Sequence, residues 1–104
     1  PRFDFGDEEE RKAGLAYLEE HGYVVARAVL DEEAVSKARS LFWEWVSRVE
    51  PGIKQDDMET WKAMKWRRIA SLDNGIMSGS GIGQSDFSWF VRTRPKVAEA
   101  FQAV

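Results

Sequence analysis

Five tryptophans and six phenylalanines in 104 residues exceed what one small core requires. Four of these rings, Trp61, Trp66, Trp89 and Phe90, flank two clusters of bases, Lys62/Lys65/Arg67/Arg68 and Arg92/Arg94/Lys96. Aromatic faces beside arginines can stack planar ligands or hold single-stranded nucleic acid. Large rings also dominate cores and interfaces. On that ground these are expected to seal an interface with further sequence or with a second chain.

Other residue types offer less. Gly75, Gly79, Gly81 and Gly83 invite a phosphate-loop reading, but the run is G-x-G-x-G after a loop. A dinucleotide fingerprint is G-x-G-x-x-G opening a helix after a strand, and no Gly-Lys-Ser/Thr ending is present. Tight turns are the expected use. Metal ligation needs several converging His, Cys or carboxylate groups. The sole histidine, His21, is followed by Gly22 and Tyr23, so no His-x-Asp pair exists, and it reads as a helix-end residue. Asp56, Asp57 and Glu59 do not match a calcium loop and read as a capping cluster. Ser85 lies in Gly83-Gln84-Ser85-Asp86-Phe87, without the second glycine of a nucleophile elbow.

Composition bounds the rest. The length fits one domain or a fragment spanning 1–104, and 43% hydrophobic residues are too many for disorder. The absence of cysteine excludes a disulfide scaffold, a zinc ribbon and a thiol nucleophile. No apolar run approaches the ~20 residues of a membrane helix, and no secretory signal is visible, so no membrane partner and a cytoplasmic location are expected. Residues 1–60 hold 15 acids and 8 bases, net −7, whereas 61–104 hold 3 acids and 7 bases, net +4, which sum to −3. The gradient could steer an anion toward the C-terminal half. A pI near 5.2 speaks against a general nucleic-acid binder, and none is expected as partner.

The elements that must position these residues follow from capping and periodicity. Asp7 to His21 reads as a helix, with acids in its first turn, a narrow stripe of Leu15 and Leu18 with Ala13 or Tyr17, and Gly22 as a left-handed cap. Tyr23–Val29 is β-branched and aromatic and is expected as one short strand, buried on at least one face. Asp31 caps a helix running to about Glu50, on which Leu30 staples to Val35 and Val35, Ala38, Phe42, Trp45, Val46 and Val49 form a stripe. Trp43 lies off that stripe, and Pro51-Gly52 ends the helix. Residues 53–83 break periodicity, apart from a short helix across Met58 to Lys65, and a segment so long without regular structure signals function or disorder. A short helix is expected from a Ser85 cap, and a last one opened by Pro95 with Val97, Phe101 and Val104 on one face. The start at Pro1 and the apolar, uncapped Val104 lead to the expectation of a fragment.

Two stretches then resemble a family together. One is Leu18-Glu19-Glu20-His21-Gly22-Tyr23-Val24-Val25-Ala26-Arg27-Ala28-Val29-Leu30, followed by the capped helix with Ala38-Arg39 and Phe42-Trp43-Glu44-Trp45. The sharper is Gly81-Ile82-Gly83-Gln84-Ser85-Asp86-Phe87-Ser88-Trp89-Phe90-Val91-Arg92, followed by Arg94-Pro95-Lys96-Val97 and Phe101. In this order they are similar to the N-terminal part of phytanoyl-CoA dioxygenase-like proteins, which are Fe(II)/2-oxoglutarate-dependent oxygenases. The resemblance covers most of 14–104 and is weakest across 53–75.

The resemblance implies an α+β fold, mostly helical with one or two short strands: the N-terminal helical part of a double-stranded β-helix (jelly-roll) oxygenase, its core barrel missing. The complete family member binds iron through a His-x-Asp/Glu pair and a distant His, and takes 2-oxoglutarate as co-substrate. No position here matches those ligands. The chain alone is therefore expected to hold no cofactor or metal, to carry no catalytic residue and to be inactive. Gln84, Ser85, Trp89 and Arg92 are implied to lie near substrate or co-substrate at the active-site mouth. The rest of the parent protein, or a second chain, would pair with strand 23–29, and a homo-oligomer is the other arrangement. The alternative is a non-catalytic interaction module docking through exposed aromatics.

Overall fold

Asp7 begins the first regular element by accepting a hydrogen bond from the Glu10 backbone N–H with its side chain, and three glutamates follow in the first turn. The helix α1 (Glu8–His21) ends at Gly22, which is left-handed (φ 79°) and returns its N–H to the Leu18 carbonyl. The computed structural model describes residues 1–104 and adds three further helices, α2 (Glu32–Val49), α3 (Asp86–Arg92) and α4 (Pro95–Ala103). Three short 3₁₀ turns lie at Met58–Thr60, Ala63–Trp66 and Ile82–Gln84. The chain divides into two compact units, one made of Pro1–Val35 with Val91–Val104 and the other of Ser36–Phe90.

In the first unit, the N-terminal arm lies across α1 at Gly14. A Cβ there would come within 2.9 Å of the Phe5 ring and 3.1 Å of Phe3 Cβ, so only glycine admits the arm so close to the helix. Phe5 is buried as a result. Phe3 packs on Tyr17 at 5.6 Å between centroids, and Tyr17 also meets the Tyr23 ring edge-on at 5.5 Å. Glu10 ties three segments together: it accepts from the Asp4 backbone N–H at 2.7 Å and from Arg27 Nη2 at 2.6 Å. On α4, Val97 is half-buried but Phe101 and Val104 are exposed, so the apolar stripe expected there is largely uncovered.

No sheet forms, which overturns the expected strand Tyr23–Val29 and the α+β class that went with it. The chain is mostly helical. Residues 23–27 do alternate between exposed and half-buried as an extended segment would. Only one parallel bridge, Phe3↔Ala26, is made, through Phe3 N–H to the Val25 carbonyl (3.0 Å) and Arg27 N–H to the Phe3 carbonyl (2.8 Å). The ladder stops on both sides for physical reasons. Beyond Phe3 the chain turns, with Asp7 N–H donating to the Asp4 carbonyl and Gly6 N–H to the Asp4 carboxylate. Beyond Arg27, Ala28 adopts a left-handed φ of 57°, which no strand continues through.

The second unit is organised by α2. Ala38, Trp45 and Val46 are its buried residues, and Trp45 and Val46 form a core with Ile53 and Ile69. Val46, Ile53 and Ile69 are at most 2% exposed; each such side chain contributes about 1.5–3 kcal/mol by leaving water. Phe42, Trp43, Val49, Trp66, Met77 and Ile82 pack around that core.

The helix expected across Met58 to Lys65 is replaced by the first two 3₁₀ turns. Asp57 caps the first by accepting from the Glu59 N–H, and Trp61 closes it onto the Met58 carbonyl. Residues 69–79 double back through the bridge Ala70↔Met77, and the Ile69 carbonyl accepts from both Ser78 and Gly79 N–H at 3.1 Å. Much of 53–83 is thus ordered by turns rather than by helix or strand.

Candidate functional site

The sharper of the two sequence stretches folds as a turn leading into α3. Gly81 is left-handed (φ 76°), and Gln84 N–H donates to its carbonyl at 2.9 Å. Ser85 is the one buried polar residue of the chain. Its Oγ donates to the Ile82 carbonyl at 2.6 Å and accepts from the Ser88 N–H at 3.2 Å, capping α3. Ser88 Oγ donates to the same Ile82 carbonyl at 2.6 Å. The hydroxyl of Ser85 is thereby committed to backbone, and its role is to hold the turn.

Gln84 and Trp89 stand on the outside of this turn. Trp89 Nε1 donates to Gln84 Oε1 at 3.1 Å, and both residues are exposed, Trp89 by 48%. An indole is a donor only, so the bond assigns the amide oxygen inward and leaves the amide N–H₂ to meet an acceptor. The structure thus brings together Gln84, Ser85 and Trp89. Arg92 is exposed and belongs to the other unit.

Trp61 and Trp66 do not form an open stacking platform. Trp43, the residue off the α2 stripe, stacks on Trp61 with centroids 5.3 Å apart and planes 23° from parallel. It meets Trp66 at 6.3 Å and Phe42 at 5.4 Å, both edge-on. Trp61 Nε1 donates to the Lys54 carbonyl at 2.7 Å. The neighbouring bases also contact their own unit: Arg68 Nη1 lies 3.7 Å from Glu50 Oε2, Lys62 4.0 Å from Glu59, and Lys65 Nζ donates to the Gly52 carbonyl at 3.5 Å. Glu50 Oε2 is buried and accepts no hydrogen bond, so the distant, exposed Arg68 is its only counter-charge.

An iron site does not fit these residues. No group of three or more His, Cys, Asp or Glu side chains is placed to hold a metal ion. His21 instead lies against the Tyr17 ring at 4.1 Å, with Nε2 3.7 Å from Glu20 Oε2. Asp57 of the acidic cluster caps a turn, as noted above. Three groups titrate away from their ordinary values, all in the first unit, and the bond to Glu10 raises the Arg27 guanidinium. Hydrogen bonding from Arg27, with a second bond from the Asp4 N–H, holds the Glu10 carboxyl below the usual range. The Tyr17–Tyr23 hydroxyl contact, 2.9 Å, raises Tyr17.

The sequence reading passed over a groove of about 490 Å³ on the second unit, lined by Ser40, Trp43, Glu44 and Ser47 on one side and Ile53–Asp56 on the other. Its signal was the i, i+3, i+4, i+7 spacing of the four α2 residues, which puts them on one helix face. No helix is long and apolar enough to cross a membrane. Compared with protein-family models, with curated proteins and with solved structures, the chain finds no match.

Proposed function

We propose that this chain is a helical portion of a non-haem Fe(II)/2-oxoglutarate-dependent oxygenase of the phytanoyl-CoA dioxygenase-like kind, one that supplies part of the active-site mouth and no metal ligand. The observation that carries this reading is the Gln84–Trp89 clasp. It lies in the stretch whose sequence resembles that family, on a turn that Ser85 and Ser88 both fasten to the Ile82 carbonyl. An exposed amide whose N–H₂ group is oriented outward beside an indole suits a carboxylate-bearing co-substrate. Iron would be bound by residues outside these 104, which would also supply the remaining contacts to 2-oxoglutarate.

The test uses the gene product that contains these 104 residues. Its coding sequence is expected to carry a His-x-Asp/Glu pair and a later His, and the purified protein to consume 2-oxoglutarate with Fe(II). Gln84→Ala should raise the KM for 2-oxoglutarate with a smaller effect on kcat, and Arg92→Ala is read as a separate arm. A reading frame without those ligands, or turnover by residues 1–104 alone, overturns the proposal.

A second reading, an interaction module, is favoured by the exposure of Trp89 and, in the other unit, of Phe101 at 80%. A homodimer or a stable partner complex that buries either ring, in a protein showing no turnover, would select it.

A further inference from the structure

We propose that the groove between α2 and the 51–56 loop binds a small organic ammonium ion, independently of the oxygenase reading. One wall is the α2 face carrying Ser40, Trp43, Glu44 and Ser47; the other is the loop with Lys54, Gln55 and Asp56. Both walls are held before any ligand arrives. Trp43 is braced by Trp61, Trp66 and Phe42, so its indole cannot swing away without breaking three ring contacts. The loop is pinned at both faces of Lys54: its N–H donates to Thr60 Oγ1 at 2.9 Å, and its carbonyl accepts from Trp61 Nε1 at 2.7 Å and from the Asp57 N–H at 3.2 Å. Ile53 N–H donates to the Glu50 carbonyl at 3.0 Å and anchors the loop to the helix end.

The charges decide the ligand class. Glu44 on the helix wall and Asp56 on the loop wall are both exposed, and neither joins an ion pair. Against these two acids stands one base, Lys54, so the lining carries a net charge of −1. An anion is disfavoured there, and a neutral ligand would leave both carboxylates unused. A compact cation with an apolar body suits the lining: its charge would meet the Glu44 and Asp56 carboxylates, and its carbon surface would lie against the part of the Trp43 indole that lines the groove, not the face stacked on Trp61. Ser40 and Gln55 offer hydrogen bonds to a polar substituent, whereas the Ser47 hydroxyl donates to the Glu44 carbonyl at 2.7 Å and is left only as an acceptor. Inorganic cations are a poorer match, because Trp43 contributes no oxygen ligand.

Choline is a suitable probe, and its uncharged isostere, in which carbon replaces nitrogen, is the control. On the protein that carries these 104 residues, choline should shift the Trp43 indole N–H resonance and the backbone amides of 40–56 with saturation, while the isostere shifts neither. Glu44→Gln and Asp56→Asn, both at exposed positions, should each weaken choline by about threefold or more, the scale of one partly screened charge contact, without moving the melting midpoint. Equal shifts from the isostere, no saturable shift, shifts centred outside 40–56, or affinity unchanged in both variants would each overturn the proposal. The comparison of choline with its isostere requires no variant and stands even if one fails to fold. None of these outcomes depends on iron or 2-oxoglutarate, so the groove and the oxygenase reading can fail separately.

Discussion

Trp43 and Trp61 stack at 5.3 Å with planes 23° from parallel, and Trp61 spends its single N–H on the Lys54 carbonyl 2.7 Å away. One side chain therefore both covers Trp43 and fastens the loop that follows α2. The two functions can be separated by substitution. Trp61→Phe keeps a ring on Trp43 but removes the donor, and should cost about 1 kcal/mol, the net worth of one hydrogen bond. Trp61→Ala removes the stack as well and should cost about 2 kcal/mol. Urea unfolding of the three proteins measures both steps; equal losses would show that the stack contributes nothing.

Ser85 and Ser88 converge on one acceptor, the Ile82 carbonyl, each at 2.6 Å. Only Ser85 also accepts the Ser88 N–H and so caps α3. Ser85→Ala should destabilise by about 1 kcal/mol, as loss of a cap does, with reduced protection of the Ser88 amide in hydrogen exchange. Ser88→Ala leaves the cap in place and should cost less. The reverse order would mean that the Ser88 bond to the Ile82 carbonyl contributes more than the Ser85 cap.

The helices were legible because their ends are written in the sequence. Asp7, Asp31 and Ser85 each accept a backbone N–H two or three residues inside a helix, and Gly22 supplies the left-handed exit. The segment Tyr23–Val29 misled because β-branched composition reports a local preference, whereas a strand requires a partner of matching length. Phe3 offers one bridge, and the Asp4–Asp7 turn and Ala28 end it on either side. The Met58 to Lys65 helix failed at Trp61, whose indole reaches back to Lys54 and across to Trp43, contacts outside any local window. Within the candidate site the Ser85 cap was readable from residue type, but the Gln84–Trp89 bond depends on how the turn folds. Gly14 carried a missed signal: a glycine inside a helix marks a close approach, here by Phe3 and Phe5.

The ionised Glu10–Arg27 contact makes the first unit sensitive to acid. Folding lowers the Glu10 pKa, chiefly through its bond to Arg27, so its contribution is fully present above the unfolded value of about 4.3. It is lost as pH falls through the folded value. Glu10→Gln should therefore narrow the gap in melting midpoint between pH 7 and pH 3 relative to the parent. Tyr17 acts at the opposite end: its pKa is raised, so its contribution is present below about pH 10 and is lost as pH climbs through the folded value. Tyr17→Phe should flatten the alkaline limb and leave the acid limb unchanged. Acid and alkaline melting curves that match the parent in both variants would contradict the assignment.

Gly79 faces backbone, not side chain. A Cβ there would sit 2.4 Å from the Arg68 carbonyl oxygen and 3.4 Å from Ile69 Cα. That backbone cannot yield cheaply, because Ile69 is 1% exposed in the core and its carbonyl holds both Ser78 and Gly79 N–H. Gly79→Ala must therefore push the 78–80 turn away from Ile69, at a cost of about 1–3 kcal/mol, the range for overpacking a closed site. Gly52 is the control: its added methyl would meet only Lys65 Nζ at 3.6 Å, and no positive φ restricts it. Gly52→Ala should be neutral or stabilise by up to about 1 kcal/mol, because alanine narrows the unfolded ensemble. Thermal unfolding of the two variants, with exchange protection of the Ser78 and Gly79 amides, measures the contrast. Equal stability of the two would mean that the turn is free to move off Ile69, and that the core closes without it.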